Sequence, residues 1–380
     1  MNYSQRVQRI EPSATVAVGN LAAKLKSEGT DIIDLSVGEP DFNTPHSVVK
    51  AGQEAIAAGH TGYTPSKGVP ELREVIAAHL NGLGMAYDAS NIIVTPGAKQ
   101  ALFETVQAVV DPGDEVVMPT PAWVSYSPMV TMAGGSMTMV DTLPHNFDLE
   151  PALADLEAAI TERTTMLILN SPANPTGEVY SESALKGVRD LAVDHDLTVL
   201  SDEIYRGISY GDPPLSTGAL DGMLERTVTV NGFSKTYAMT GWRLGYLAAP
   251  SGLAEQIAKV QSHSVTCAPN FVQRAGITAL TETKPDVERM VSEFHERRDS
   301  LLDALAANGI SVAAPGGAFY VMIPVDDDDK QWCKDAIEEA HVATVPGSAF
   351  EAPGYARIAY TREPDKLREA VNRLVSSGLL

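Results

Sequence analysis

The sequence predicts an α/β protein: a large unit on a mostly parallel sheet flanked by helices, with a smaller α+β unit attached. Three observations carry this. Short β-branched apolar runs alternate with helix-period segments through the middle of the chain. Polar residues and glycines gather just after those runs, at the strand ends where open α/β sheets hold their ligands. From about residue 284 the texture changes to long amphipathic helices separated by short strands.

The buried strands are expected at 91–96 (NIIVTP), 114–119 (DEVVMP), 164–170 (TTMLILN), 197–203 (LTVLSDE), 226–233 (RTVTVNGF) and 243–250 (RLGYLAAP). Between them, 182–196 carries apolar residues at helical spacing. Alternation of this kind implies βαβ units with helices on both faces of the sheet. Beyond it, 284–309 reads as one long helix, 317–325 as a strand, 329–341 as a helix, 356–361 as a strand and 363–378 as a helix.

Composition limits the function. The chain has 380 residues, 44% hydrophobic and 20% charged, enough for a sizeable core. Its net charge is −21, from 49 acidic and 28 basic side chains, which argues against a general nucleic-acid binder. An ordinary acidic enzyme and a high-salt cytoplasm both suit such a surface. No apolar run is long enough for a membrane span, and the N-terminus lacks a secretion signal, so a cytoplasmic protein is expected. Two cysteines, Cys267 and Cys333, suffice neither for a disulfide framework nor for a zinc site. No metal is expected.

Several strand ends carry chemistry. Lys235 follows VTVNGF in apolar, aromatic company. Partial burial lowers a lysine pKa, and a neutral amine condenses with carbonyls. On residue type alone, a surface lysine opening a helix fits as well. Asp202 ends LTVLSD, where a buried carboxylate needs a cationic partner such as a protonated pyridine nitrogen. It reads equally as a helix cap. Tyr205 is placed to donate from the same side. Pro96-Gly97-Ala98-Lys99 leads a strand into a helix, an arrangement suited to phosphate. Asn174 in SPANPTG is either a fixed polar contact or a plain turn residue. Arg357, in an apolar strand pattern, needs an anion, either a ligand carboxylate or an internal ion-pair partner.

Taken together, GEPDFNTP, YTPSKGVPELRE, GAKQALF, SPANPTG, SDEIY, SKTYAMTGWRLGY, GAFY and VPGSAF run in one order along the chain. In this the sequence resembles the class I, fold-type-I pyridoxal-phosphate aminotransferases, end to end, and among them the subgroup I-beta aspartate and prephenate enzymes. SDEIY followed by SKTYAMTGWRLG is the specific pairing. The resemblance implies pyridoxal 5′-phosphate as cofactor, held as a Schiff base by Lys235. Its phosphate would be bound by Arg243, Ser234 and the N–H groups of Gly97, Ala98 and Lys99, with Tyr63 reaching in from the partner subunit of a homodimer. Trp123 would stack on the ring, Asn174 and Tyr205 would donate to its phenolate oxygen, and Asp202 would keep its nitrogen protonated. Gly38 and Arg357 would line the substrate site, with Arg357 gripping the α-carboxylate. Lys99, assisted by Ser13 and Thr15, would take a distal carboxylate, unless Lys99 serves the phosphate alone.

The implied reaction is transamination between L-aspartate and 2-oxoglutarate. Prephenate, aromatic or alanine substrates are alternatives, as is a C–S lyase using the same lysine. Implied units are an arm at 1–12, a small α+β domain from 13–40 and 285–380, and a large cofactor domain at 41–284. In one respect the chain departs from some members: Gly232 stands where they carry serine, which removes a hydroxyl near the phosphate.

Overall fold

The computed structural model describes residues 3–12 and 14–380, without the side chains of 14–16. Its strands are β1 (Ile33–Asp34), β2 (Ile92–Thr95), β3 (Glu115–Thr120), β4 (Ser136–Asp141), β5 (Thr164–Asn170), β6 (Thr198–Asp202), β7 (Thr227–Gly232), β8 (Gly245–Ala248), β9 (Tyr320–Pro324), β10 (Val342–Ala343), β11 (Val345–Pro346) and β12 (Tyr355–Ala359). Seven of them form one sheet in the order β2-β8-β7-β6-β5-β3-β4. All run parallel except β8, which is antiparallel to both neighbours. A second sheet orders β11-β12-β9, and β1 pairs with β10.

The period-2 alternation of the strands separates two faces of the large sheet. Met166 and Ile168 of β5 join Val116, Met118 and Leu200 against Ala101, Leu102 and Val106 of the helix Ala98–Val109. Leu167 and Leu169 point the other way, with Val117 and Val199, onto Leu185, Val188 and Ala192 of the helix Glu182–Asp194. Full burial of each such leucine or isoleucine contributes about 1.5–3 kcal/mol. The first of these clusters continues through Phe294, Leu301, Phe319, Ile323, Ile358 and Leu367, so one core joins the large sheet to the β11-β12-β9 sheet.

Of the expected elements, all six large-sheet strands and both later strands form, and the helices run Glu182–Asp194, Lys284–Ala307, Asp329–Glu338 and Pro364–Ser376. The sequence reading missed β4, β1, β10 and β11. β4 is a sheet edge on which only Val140 is fully buried, so it lacks the apolar run of a central strand. The other three have two residues each, too few to show a period.

The reversed β8 positions everything that follows. Because β7 and β8 are antiparallel neighbours, the segment 233–244 turns back at the carboxyl edge of the sheet. β2 runs antiparallel to β8 in turn, so its end at Thr95, paired with Gly245, arrives at the same edge. Two glycines permit this convergence. A Cβ on Gly245 would collide with the backbone of Gly97 and Ala98, and one on Gly232 would come within 3.1 Å of the Gly245 Cα. Room, as well as the lost hydroxyl, therefore separates Gly232 from serine. Gly245→Ala is expected to destabilise the fold by about 1–3 kcal/mol, because the colliding atoms are backbone and cannot rotate away. Urea unfolding of wild type and variant measures this; equal midpoints would refute the tight packing.

Candidate active site

A cavity of about 380 Å³ opens at that carboxyl edge. Its wall includes Gly38, Ala98, Lys99, Trp123, Asn174, Asp202, Tyr205, Ser234, Lys235, Arg243 and Arg357, so most of the residues singled out from the sequence meet in one place. The strand ends supply them: Asp202 closes β6, Asn174 follows β5, and Ser234 and Lys235 follow β7.

Lys235 Nζ donates to the Gly38 carbonyl at 2.5 Å. Burial lowers its pKa to about 8, helped by the Arg357 and Arg243 charges and opposed by Glu39 and Asp202. A sizeable neutral fraction therefore exists near neutrality. Gly38 has no room for a side chain, since a Cβ there would collide with the Tyr320 hydroxyl.

Asp202 is 3% exposed and has no cationic partner. The Tyr126 hydroxyl donates to one carboxylate oxygen at 2.8 Å, and the Ile204 N–H to the other at 3.1 Å. Burial raises its pKa to about 6 in spite of the Tyr126 hydrogen bond. A cation beside it would draw the proton off.

Arg357 is 3% exposed and also lacks a carboxylate. It donates to Asn174 Oδ1 at 2.9 Å and to the Ser36 carbonyl at 2.7 Å, while its buried Nε has no partner. Its guanidinium lies between the rings of Tyr320 and Phe350, 4.5 and 4.9 Å from their centroids. The internal ion pair considered from the sequence is absent among the described residues. The Tyr205 and Tyr320 hydroxyls are hydrogen-bonded to each other at 2.8 Å.

The anion end is built from the start of the helix Ala98–Val109, which has no side-chain cap. Its N-cap, Gly97, has φ +89°, and a Cβ there would collide with the Arg243 guanidinium. The Gly97 N–H, expected to face an anion, instead donates to the Thr95 carbonyl at 2.7 Å, so Ala98 and Lys99 carry the backbone donors. Arg243 donates only to the carbonyls of Thr240 and Pro96. Lys99 Nζ sits 4.7 Å over the Trp123 ring, and burial, with Arg243 close by, lowers its pKa.

Sequence reading missed Ser36, Tyr126, Asn170, Thr240 and Tyr320, all in the cavity wall. Tyr320 ends the segment GAFY and Tyr126 stands three residues after Trp123, but nothing in a string reveals which partner a hydroxyl will meet. Tyr63 is 89% exposed and does not line the cavity. Ser13 and the side chain of Thr15 lie outside the described residues.

The donor set fits a phosphorylated pyridine. Arg243, Ser234 and a bare helix start await an anion; Asp202 lacks a cation; Trp123 offers a ring face; Lys235 is an amine of lowered pKa. The family described as aminotransferase class I and II matches residues 30–374. This chain belongs to it. Among its relatives, an aspartate/prephenate aminotransferase of Thermus thermophilus is 43% identical, with 97% of each chain covered. An aspartate aminotransferase of Pyrococcus abyssi is 42% identical, over 98% of this chain and 97% of that one. The solved Thermus thermophilus aspartate aminotransferase with maleate superposes with a TM-score of 0.96 at 42% identity, covering 99% of this chain and 100% of the other. The aminotransferase is a pyridoxal-phosphate enzyme of fold type I, and no described helix is long and apolar enough to cross a membrane.

The lowered pKa of Lys235 has a stability consequence in the cofactor-free protein. Folded and unfolded states differ in bound protons between about pH 8 and the ordinary lysine value, where the unfolded chain holds more. Stability therefore rises with pH across that window and carries the full penalty below it. Replacing Lys235 by Met is expected to stabilise the cofactor-free protein by about 2 kcal/mol at pH 7, a value discounted for contact with cavity solvent. The difference should shrink as pH climbs from 8 towards 10. Denaturant unfolding at several pH values checks this; a gap independent of pH would contradict it.

Proposed function

We propose that this aminotransferase exchanges the amino group of L-aspartate with 2-oxoglutarate, giving oxaloacetate and L-glutamate in two half-reactions at one site. One observation carries the reading: four cations, Lys99, Lys235, Arg243 and Arg357, face one cavity, and no carboxylate pairs with any of them among the described residues. In a chain of net charge −21, such a set calls for anions brought by ligands.

Pyridoxal 5′-phosphate, when bound, supplies an aldehyde that links to amines and a protonated ring that accepts the electron pair left at the substrate Cα. Lys235 holds it covalently at rest. Arg243, Ser234 and the Ala98 and Lys99 N–H groups hold the phosphate. Trp123 covers one ring face, Asn174 and Tyr205 donate to the ring oxygen, and Asp202 keeps the ring nitrogen protonated. Arg357 grips the substrate α-carboxylate, and Gly38 leaves room beside it. Lys235, once free, would take the proton from Cα as a neutral amine and return it to the cofactor carbon bonded to the substrate nitrogen. Lys99 takes the distal carboxylate.

The exposed Tyr63 fits a role across a two-fold interface, so the working enzyme is a homodimer in the cytoplasm. Residues 41–284 form the cofactor domain, 13–40 with 285–380 the smaller one, and 1–12 an arm. Prephenate is the second reading, favoured by the likeness to the aspartate/prephenate aminotransferase of Thermus thermophilus.

The absorbance spectrum of the holoenzyme tests the reaction. L-aspartate alone should replace the cofactor's visible-edge band by a near-ultraviolet one; a band unmoved by aspartate refutes this substrate. Lys99→Ala should lower kcat/KM for aspartate by about 30-fold or more, as loss of one partner of a desolvated charge pair does. L-alanine, which lacks the distal carboxylate, should fall far less. A parallel fall for both would return Lys99 to the phosphate.

A further inference from the structure

Tyr205 follows β6 in the large sheet, and Tyr320 opens β9 in the smaller one; both line the cavity. Backbone bonds fix the distance between the two segments. The Ala318 N–H donates to the Ile208 carbonyl at 2.9 Å, and the Ile208 N–H to the Tyr205 carbonyl at 2.8 Å. Ring packing fixes it further, because Tyr205 meets Phe319 and Tyr320 edge-on, with centroids 5.4 and 5.6 Å away. Both tyrosines are buried, and among the described residues each hydroxyl has the other as its sole hydrogen-bond partner, at 2.8 Å.

Two phenols carry two protons, and only one can lie between the oxygens. The direction of that bond decides whether the Tyr205 proton is free for a ligand. Charge favours one direction. Arg357 lies 4.5 Å from the centre of the Tyr320 ring. Burial raises the pKa of both phenols. Tyr320 and the Asp202 carboxylate raise that of Tyr205 further, against Arg357, whereas Arg357 and the bond to Tyr205 lower that of Tyr320. Tyr320 is therefore the better donor and Tyr205 the better acceptor.

We propose that Tyr320 is a positioning residue for Tyr205: it donates its proton to the Tyr205 oxygen and so keeps the Tyr205 proton for the oxygen of the cofactor ring. This rests on the place given to Tyr205 at that oxygen in the reading above. Hydrogen bonds in a chain polarise one another, so Tyr205 donates more strongly while it accepts from Tyr320. A donor at the ring oxygen draws off negative charge that would otherwise hold the proton on the Lys235 nitrogen bonded to the cofactor.

A pH titration of the holoenzyme's visible absorbance band, without substrate, reports that proton. Wild type, Tyr320→Phe, Tyr205→Phe and the double variant are compared. Phenylalanine at 320 keeps a ring beside Arg357, and the fraction of the band in each form does not depend on how much enzyme is folded. The charged groups around the nitrogen, Glu39, Arg357, Arg243 and Asp202, are the same in all four proteins. Tyr320→Phe should raise the midpoint by about 0.5 or more on the pH scale, in the direction of Tyr205→Phe but by less. In the Tyr205→Phe background it should add nothing. A fall in the midpoint would show that Tyr205 donates to Tyr320 and would overturn the proposal. So would an unmoved midpoint, or an equal rise in both backgrounds, which would mean that Tyr320 acts without Tyr205. Tyr205→Phe without effect would remove Tyr205 from the ring oxygen, and the proposal with it.

Discussion

A buried carboxylate, Asp202, and an amine of lowered pKa, Lys235, share one cavity in this chain without forming an ion pair. Left to electrostatics alone, opposite charges in a low-dielectric site would close on each other. The fold keeps them apart by giving each another partner. Tyr126 and the Ile204 N–H hold the carboxylate, and the Gly38 carbonyl holds the amine. Each is thereby left unfinished: the carboxylate still lacks a cation, and the amine holds its proton less tightly than an ordinary lysine. A ligand with a protonated ring nitrogen at one end and a carbonyl carbon at the other completes both. The remaining wall extends the same logic, because Arg243 and Arg357 donate only to neutral oxygens.

That separation is produced by topology more than by any one residue. The antiparallel β8 brings the ends of β2 and β7 and the start of β8 to one edge, so the anion-binding helix start, Lys235 and Arg243 converge. The approach is closer than side chains allow, and Gly38, Gly97 and Gly245 mark the places where backbone meets a neighbour. Rigid strands buried on both faces hold these ends in position.

Much of this was legible in the sequence. Central strands show as apolar β-branched runs because both their faces are buried, and the long helices show their period. Lys235, Asp202, Asn174 and Arg357 were visible because charged and amide groups beside apolar runs demand an explanation, and Arg243 through the family resemblance. Edge strand β4 and the two-residue strands left no such signal. Partner choice was equally hidden. The Tyr126 hydrogen bond to Asp202 spans 76 positions, and the Arg357 bond to Ser36 spans 321. The family resemblance assigns the Gly97 N–H to the phosphate. That N–H is taken by Thr95 through a local turn that only backbone geometry reveals.

The central claim is that Lys235 carries the cofactor. Borohydride reduction of the holoenzyme, followed by peptide mass mapping, examines it directly. The account predicts the phosphopyridoxyl mass on the peptide that contains Lys235 and on no other. The same mass on Lys99, the other lysine of the cavity wall, or on neither, would contradict it.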